Sequence, residues 1–351
     1  MQKSPPSHES DGRLSYITFM QVVCAYAVVL LHTNGCFWLY SPDYRWKIAN
    51  AVESIFYFPV PVFFMISGAT LMDFLKKYSL STYFKKRILK TFIPFVAWSF
   101  IGIAFLLCWK EITPDMLNFK YVVKGILNTS FNGVYWFFPS LFCVYLCMPL
   151  LSAVAEEHRK KIFSYLVAVG FLVNTAAPFV IEQAQTSLQW PFSVSVVSGN
   201  LWYVLCGYLL IKYPLSKKKR LLIYAVSLAG FLLHAVGTYI TSTNAGTVMR
   251  TFKGYNSVAC YLYSLGAFVL LKQIGEKIMQ TKAAPFIRWA AKYSLSIYLI
   301  HYYVMTCFTR WIPIDITSPV YTLGAPLIIV PLSVAIAAVI KKIPLLRHIV
   351  P

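Results

Sequence analysis

YITFMQVVCAYAVVLLHT, residues 16–33, is an uncharged, mostly apolar run that closes on His32 and Thr33. At about 1.5 Å per residue such a run reaches most of the way across a bilayer core ~30 Å thick. His32 lies inside the run rather than at its margin. A charged side chain at the centre of a membrane helix costs roughly 2.5 kcal/mol or more, so a histidine there turns toward protein or a watery cavity. The stretch therefore sets two expectations: a chain that crosses a membrane, and a site built around His32.

Composition extends the first expectation to the whole chain. The 351 residues are 58% hydrophobic and only 13% charged, with a mean hydropathy of +0.62, whereas a soluble domain carries about 25% charged residues. The fold class is all-α, a polytopic membrane protein. The net charge of +20 invites a nucleic-acid reading, but the basic residues form short clusters between apolar runs, where membrane topology accounts for them. No nucleic-acid partner is expected. The eight cysteines show no CxxC and no Cys/His spacing, so no metal is expected either. The polar start and the lack of a small-residue pattern after the first run argue against a cleaved signal peptide.

Ten apolar segments follow a polar stretch, at about 16–38, 50–72, 88–109, 133–152, 162–181, 195–213, 221–243, 255–272, 291–311 and 319–340. Residues 116–132 read as a short interfacial helix. The expected organisation is a polar tail over 1–13, one ten-helix domain over 14–340 and a short basic tail over 341–351. With both termini in the cytoplasm, 24 of the 32 Lys and Arg fall on the cytoplasmic side, the bias expected of a multi-pass inner-membrane protein. No span carries an arginine ladder and no loop repeats a filter motif, which excludes a voltage sensor or ion channel. No internal repeat is evident, which weakens the inverted-repeat transporter reading.

Few ionisable residues lie within the spans. Glu53 sits near the outer end of the second span, at a depth where it can pair with His32 and fix its tautomer, or can simply pin two helices. Lys86, Arg87 and Lys90 cluster at the cytoplasmic entrance of the third span, where topology alone accounts for them or an anionic ligand binds. Tyr135 and Trp136 read as an interfacial aromatic belt. Asn256 is a polar residue at the outer entrance of the eighth span. Tyr298 and His301 share a face of the ninth. His234 is deep in the seventh span with no polar neighbour on its own face, and is read as structural.

The ordered motifs VVLLH, FFMISGATL, YFKKRILKTFIPF, YWFFPSLFCVYLCMPL, LWYVLCGYLL and KYSLSIYLIHYYV together resemble the membrane acyltransferase 3 family, over nearly the whole chain. The resemblance implies transfer of an acetyl or other short acyl group from acyl-coenzyme A to a hydroxyl of a surface carbohydrate or glycolipid. His32 matches the family's catalytic histidine, here a general base with Glu53 as its partner. Arg87 matches the basic residue associated with the donor, with Lys86 and Lys90 beside it. Trp136, Asn256, Tyr298 and His301 are the candidates on the acceptor side, the last three also as donors to a tetrahedral intermediate. One position departs: the family commonly has an arginine eleven residues before the histidine, where this chain has Gln21. The rival readings are a transporter or flippase for a glycan or small polar molecule, and a non-catalytic scaffold in glycan assembly. Homo-oligomerisation stays open.

Overall fold

A computed structural model describes residues 15–351. Helices make up 77% of it and no strand occurs among the described residues, which confirms an all-α fold. The expected tail over 1–13 lies outside the described residues. In chain order the helices are α1 (Ser15–Thr33), α2 (Tyr44–Ile55), α3 (Pro59–Leu71), α4 (Leu80–Arg87), α5 (Ile93–Cys108), α6 (Phe119–Leu127), α7 (Phe137–Ala153), α8 (Glu156–Phe171) and α9 (Ala177–Gln183). They continue with α10 (Asn200–Lys212), α11 (Lys217–Leu232), α12 (Thr238–Ala245), α13 (Val258–Ile278), α14 (Ala284–Ala291), α15 (Ser294–Trp311), α16 (Pro319–Gly324) and α17 (Pro326–Lys342).

Eight helical stretches are long and apolar enough to cross a membrane, against ten expected segments. The other two segments are helical but differ in kind. α10 has 13 residues, about 20 Å, and is buried without a break from Trp202 to Tyr208. α15 has 18 residues but carries Ser294, Ser296 and His301, all buried. Both are enclosed by protein, which relaxes the demand for length and lipophilicity that lipid imposes.

α1 is the central helix, touching α3, α13, α14, α15, α16 and α17. The closest crossing is between α3 and α10, where Gly68 lies on the Val204 carbonyl and Gly207 on the Met65 carbonyl, too near for any Cβ. The second expected span is broken. Pro59 and Pro61 remove two N–H donors where α3 begins, a position that tolerates their loss, and Glu53 consequently belongs to the separate helix α2. Wider π-turns interrupt helices at Ile88–Phe92 and Leu172–Ala176. Pro94 and Pro178 follow them, each lacking an N–H and crowding the carbonyl four residues back.

The expected interfacial helix exists as α6, with Phe119 and Leu127 strongly exposed and Lys120 and Lys124 between them. Of the stretch over 341–351, expected as a short basic cytoplasmic tail, residues 342–348 are exposed and the last three pack against the core. Val350 is fully buried, Trp98 Nε1 donates to the Ile349 carbonyl at 2.8 Å, and Ser296 Oγ donates to the Pro351 carbonyl at 3.2 Å. Apolar residues end this stretch, and they join the core formed by α5 and α15.

Candidate active site

The last turn of α1 delivers His32 to His301 on α15, with His32 Nδ1 and His301 Nε2 2.9 Å apart and the rings stacked. His301 Nδ1 lies 3.0 Å from the Ile297 carbonyl and 2.9 Å from the Tyr298 carbonyl. Carbonyls only accept, so that nitrogen carries the proton. In the neutral ring Nε2 is then an acceptor, and His32 must donate its Nδ1–H to it. The lone pair of His32 is thereby fixed on Nε2, which has no hydrogen-bond partner among the described residues. His301 is fully buried while His32 is only partly so, and His32 lines a cavity of about 450 Å³. The arrangement holds one imidazole in a single tautomer through a neighbour that is itself held by backbone.

Glu53 does not occupy the position beside His32 that was expected of it. It lines the same cavity, but its Oε2 accepts from Asn34 Nδ2 at 3.1 Å. The break before α3 sets α2 apart, and the first turn after α1 brings Asn34, not His32, to its carboxylate. Trp136 lines the cavity and stacks on Tyr255, ring centroids 5.3 Å apart. Tyr298 lines it too, but its hydroxyl donates to the Val134 carbonyl. Asn256 is not part of it. Asn256 is exposed, accepts from the Tyr261 hydroxyl at 3.3 Å and lies over Gly199.

On the other side of Tyr298 lies a second cavity of about 240 Å³, lined by Gln21, Ser67, Thr70, Arg87, Tyr145 and Ser294 among others. The two cavities have Val28, Val60, Phe137 and Tyr298 in common, so they meet back to back across these side chains. Arg87 is the one charged group lining the second cavity. Its Nε is buried without a hydrogen-bond partner, an orphaned donor that suits an anionic or carbonyl-bearing ligand. Gln21 faces the same cavity as Arg87. Lys86 and Lys90 do not line it. They are four residues apart on an exposed face, and Lys86 Nζ rests 3.8 Å from the centre of the Tyr78 ring.

Sequence reasoning missed several groups around the outer cavity: Trp38, Tyr57, Arg250 and Tyr255 in its wall, and Lys253 behind it. Arg250 stacks on Trp38, 4.7 Å from ring centre. His234, read as having no polar neighbour on its own helix face, meets one from another segment, with Lys253 Nζ 3.4 Å from its Nδ1. A signal was available, since Arg250 and Lys253 belong to the minority of basic residues that topology leaves unexplained. Among the described residues no cluster of His, Cys, Asp or Glu suits a metal ion.

Comparison with curated proteins and with solved structures returned no match. The family model described as an acyltransferase domain matches residues 14–340, a span that holds both cavities and every side chain just described. The chain therefore belongs to the acyltransferase 3 family and is a multi-pass membrane acyltransferase.

Proposed function

We propose that this protein moves an acetyl or other short acyl group from acyl-coenzyme A to a hydroxyl of a surface carbohydrate or glycolipid, with His32 as general base. The observation that carries the reading is a pair of cavities that share one wall, the outer lined by His32, whose Nε2 is the open lone pair, and the inner by Arg87. In this reading the termini and the Arg87 side face the cytoplasm of a bacterial inner membrane. The inner cavity suits the slender acyl-pantetheine arm of the donor, with Arg87 offering its orphaned Nε. The nucleotide phosphates stay at the mouth, where the exposed Lys86 and Lys90 provide point charges.

The chemistry follows. The acceptor hydroxyl enters the outer cavity beside His32. Nε2 takes its proton as the oxygen forms a bond to the thioester carbonyl carbon. The tetrahedral intermediate collapses, the C–S bond breaks, and the proton on His32 passes to the leaving thiolate. The ester and free coenzyme A thiol result, with no net proton released. A positioned base contributes roughly 10²–10⁴-fold. Tyr298 and His301 are committed to other partners and Asn256 is elsewhere, and Arg250 is the cationic donor in the cavity wall suited to the developing oxyanion.

The test follows radiolabelled acetyl from acetyl-coenzyme A into the glycan fraction of native membranes, for wild type, His32→Ala and Arg87→Ala. Label incorporated by wild type and lost from both stably inserted variants supports the reading. A wild type that transfers no label from acetyl- or succinyl-coenzyme A sinks it and leaves the transporter reading standing.

A further inference from the structure

Behind the outer cavity lies a group of buried polar side chains that the transfer path leaves unused. Lys253, in the connection between α12 and α13, is 4% exposed. Its Nζ donates to Ser54 Oγ at 3.1 Å, stands 3.4 Å from His234 Nδ1 and lies 4.6 Å from the centre of the Phe37 ring. Glu53, the residue before Ser54, is 3% exposed. The lysine and the carboxylate form no direct ion pair, yet each lies within the other's electrostatic reach. A buried ammonium and a buried carboxylate are both expensive alone, and together each removes the reason for the other to neutralise. Burial presses the Lys253 ammonium below the usual lysine range, and Glu53 pulls it back.

The carboxylate is not spent on holding the fold. Asn34 occupies Oε2, whereas Oε1 accepts no hydrogen bond among the described residues and is not sealed off. Glu53 lines the cavity into which His32 Nε2 opens. The other groups around it are Asn34, Cys36, Tyr57, Tyr255 and Arg250. A thiol and two phenols are neutral at pH 7, so the charge acting on Glu53 is Lys253 behind it, and Arg250 is the other charged side chain in the cavity wall.

We propose that Lys253 is a positioning residue that holds Glu53 as an anion in the cavity wall, and that Glu53 Oε1 accepts hydrogen bonds from hydroxyls of the acceptor adjacent to the one His32 deprotonates. The second half rests on the acyl-transfer reading; the first half does not. The chemistry fits a neutral polyhydroxylated ring. Its C–H face has the stacked Trp136–Tyr255 pair to lie on, and its hydroxyls meet one acceptor, Glu53, and one donor, Arg250. Hydroxyls can hydrogen-bond to both groups, so an acceptor needs no charge of its own to be held.

Two measurements on the full-length protein in lipid nanodiscs and native membranes test this. Infrared spectra read the C=O stretch of a protonated carboxylic acid at residue 53, identified as a band of Lys253→Met that is absent from Lys253→Met/Glu53→Gln. At pH 7 wild type and Lys253→Arg lack that band and Lys253→Met gains it. In the acetyl-coenzyme A label assay, Lys253→Met and Glu53→Gln each lose about 10- to 100-fold, the double variant is no worse than either, and Lys253→Arg stays within about threefold of wild type. Size-exclusion profiles separate these losses from misfolding, and the arginine variant keeps the test sharp if the methionine variant folds poorly. Lys253→Met without the band, or with the band and undiminished transfer, overturns the proposal. A wild type that transfers no label while Lys253→Met gains the band overturns the hydroxyl contact and the acyl-transfer reading together, and leaves the charge pair.

Discussion

Replacing His301 tests the tautomer argument directly. In His301→Ala the acceptor of the His32 Nδ1–H, 2.9 Å away in the wild type, is gone. The ring of His32 then either keeps a buried N–H without a partner, at about 1–3 kcal/mol, or moves its proton to Nε2. The second choice relieves the first and removes the lone pair from the nitrogen that faces the outer cavity. The loss therefore approaches that of His32→Ala itself, about 10²–10⁴-fold in the label-transfer assay. His301→Gln offers a carbonyl oxygen to Nδ1–H, but on a more flexible side chain, and is expected to recover about tenfold over the alanine variant. Because both histidines serve one base, His32→Ala/His301→Ala should be no slower than either single variant. The reasoning is refuted if His301→Ala, monodisperse and fully inserted, transfers acetyl at the wild-type rate, or if the two single losses multiply in the double variant.

Other perturbations separate the remaining parts. Gly68→Ala places a Cβ against the Val204 carbonyl at the α3–α10 crossing, and should destabilise by about 3 kcal/mol or more because backbone, not a side chain, must move; an unchanged unfolding temperature in detergent counts against it. Arg159 is 4% exposed and binds Asp73 Oδ1, the Ser152 carbonyl and the Val154 carbonyl at 2.6, 2.6 and 2.7 Å. Arg159→Met should cost about 2–4 kcal/mol, discounted because Asp73 is partly solvated, while Lys76→Ala, which removes a half-exposed partner of Glu156, should barely move the thermal midpoint; equal thermal shifts would contradict this ranking. Gln21→Arg sets a second cation in the cavity that holds Arg87, and should lower the KM for acetyl-coenzyme A about tenfold, with the gain shrinking at high salt; a KM unmoved at low salt would show that position 21 does not meet the donor.

The sequence carried much of this architecture for identifiable reasons. Lipid-facing helices must be apolar along their whole length, so their existence follows from composition. His32 was visible because a histidine is costly within such a run, and Arg87 because an ordered set of motifs surrounds it. The partner of His32 was not visible, since His301 is 269 positions away along the chain and which helix packs on α1 is a matter of tertiary structure. Depth along a helix suggested Glu53 as that partner. Depth says nothing about rotation, and the prolines opening α3 detach α2 from the span to which Glu53 was assigned. The same blindness to rotation grouped Lys86 and Lys90 with Arg87: Lys86 points about 100° from its neighbour, Lys90 lies in the π-turn Ile88–Phe92 rather than in a regular α-helix, and only Arg87 turns inward.

The two helices that fail the test for a spanning helix bear directly on the site. Helices exposed to lipid must be apolar, as Glu156–Gln183 and Lys217–Ala245 are with only 11% and 22% of their most apolar stretches buried, whereas an enclosed helix is free to be apolar, as Tyr44–Lys76 is with 67% buried, or polar. α10 and α15 are surrounded by other helices instead. α10 can be short because α3 crosses it closely enough to hold it in place. α15 can carry Ser294, Ser296 and His301 because each finds protein around it. A buried polar group needs a preorganised environment to act at all, and only helices shielded from lipid provide one. Helices that meet lipid are thus held to an apolar sequence, while α15, the helix that fixes the tautomer of His32, is enclosed and gives a weaker hydropathy signal because it is free of that constraint.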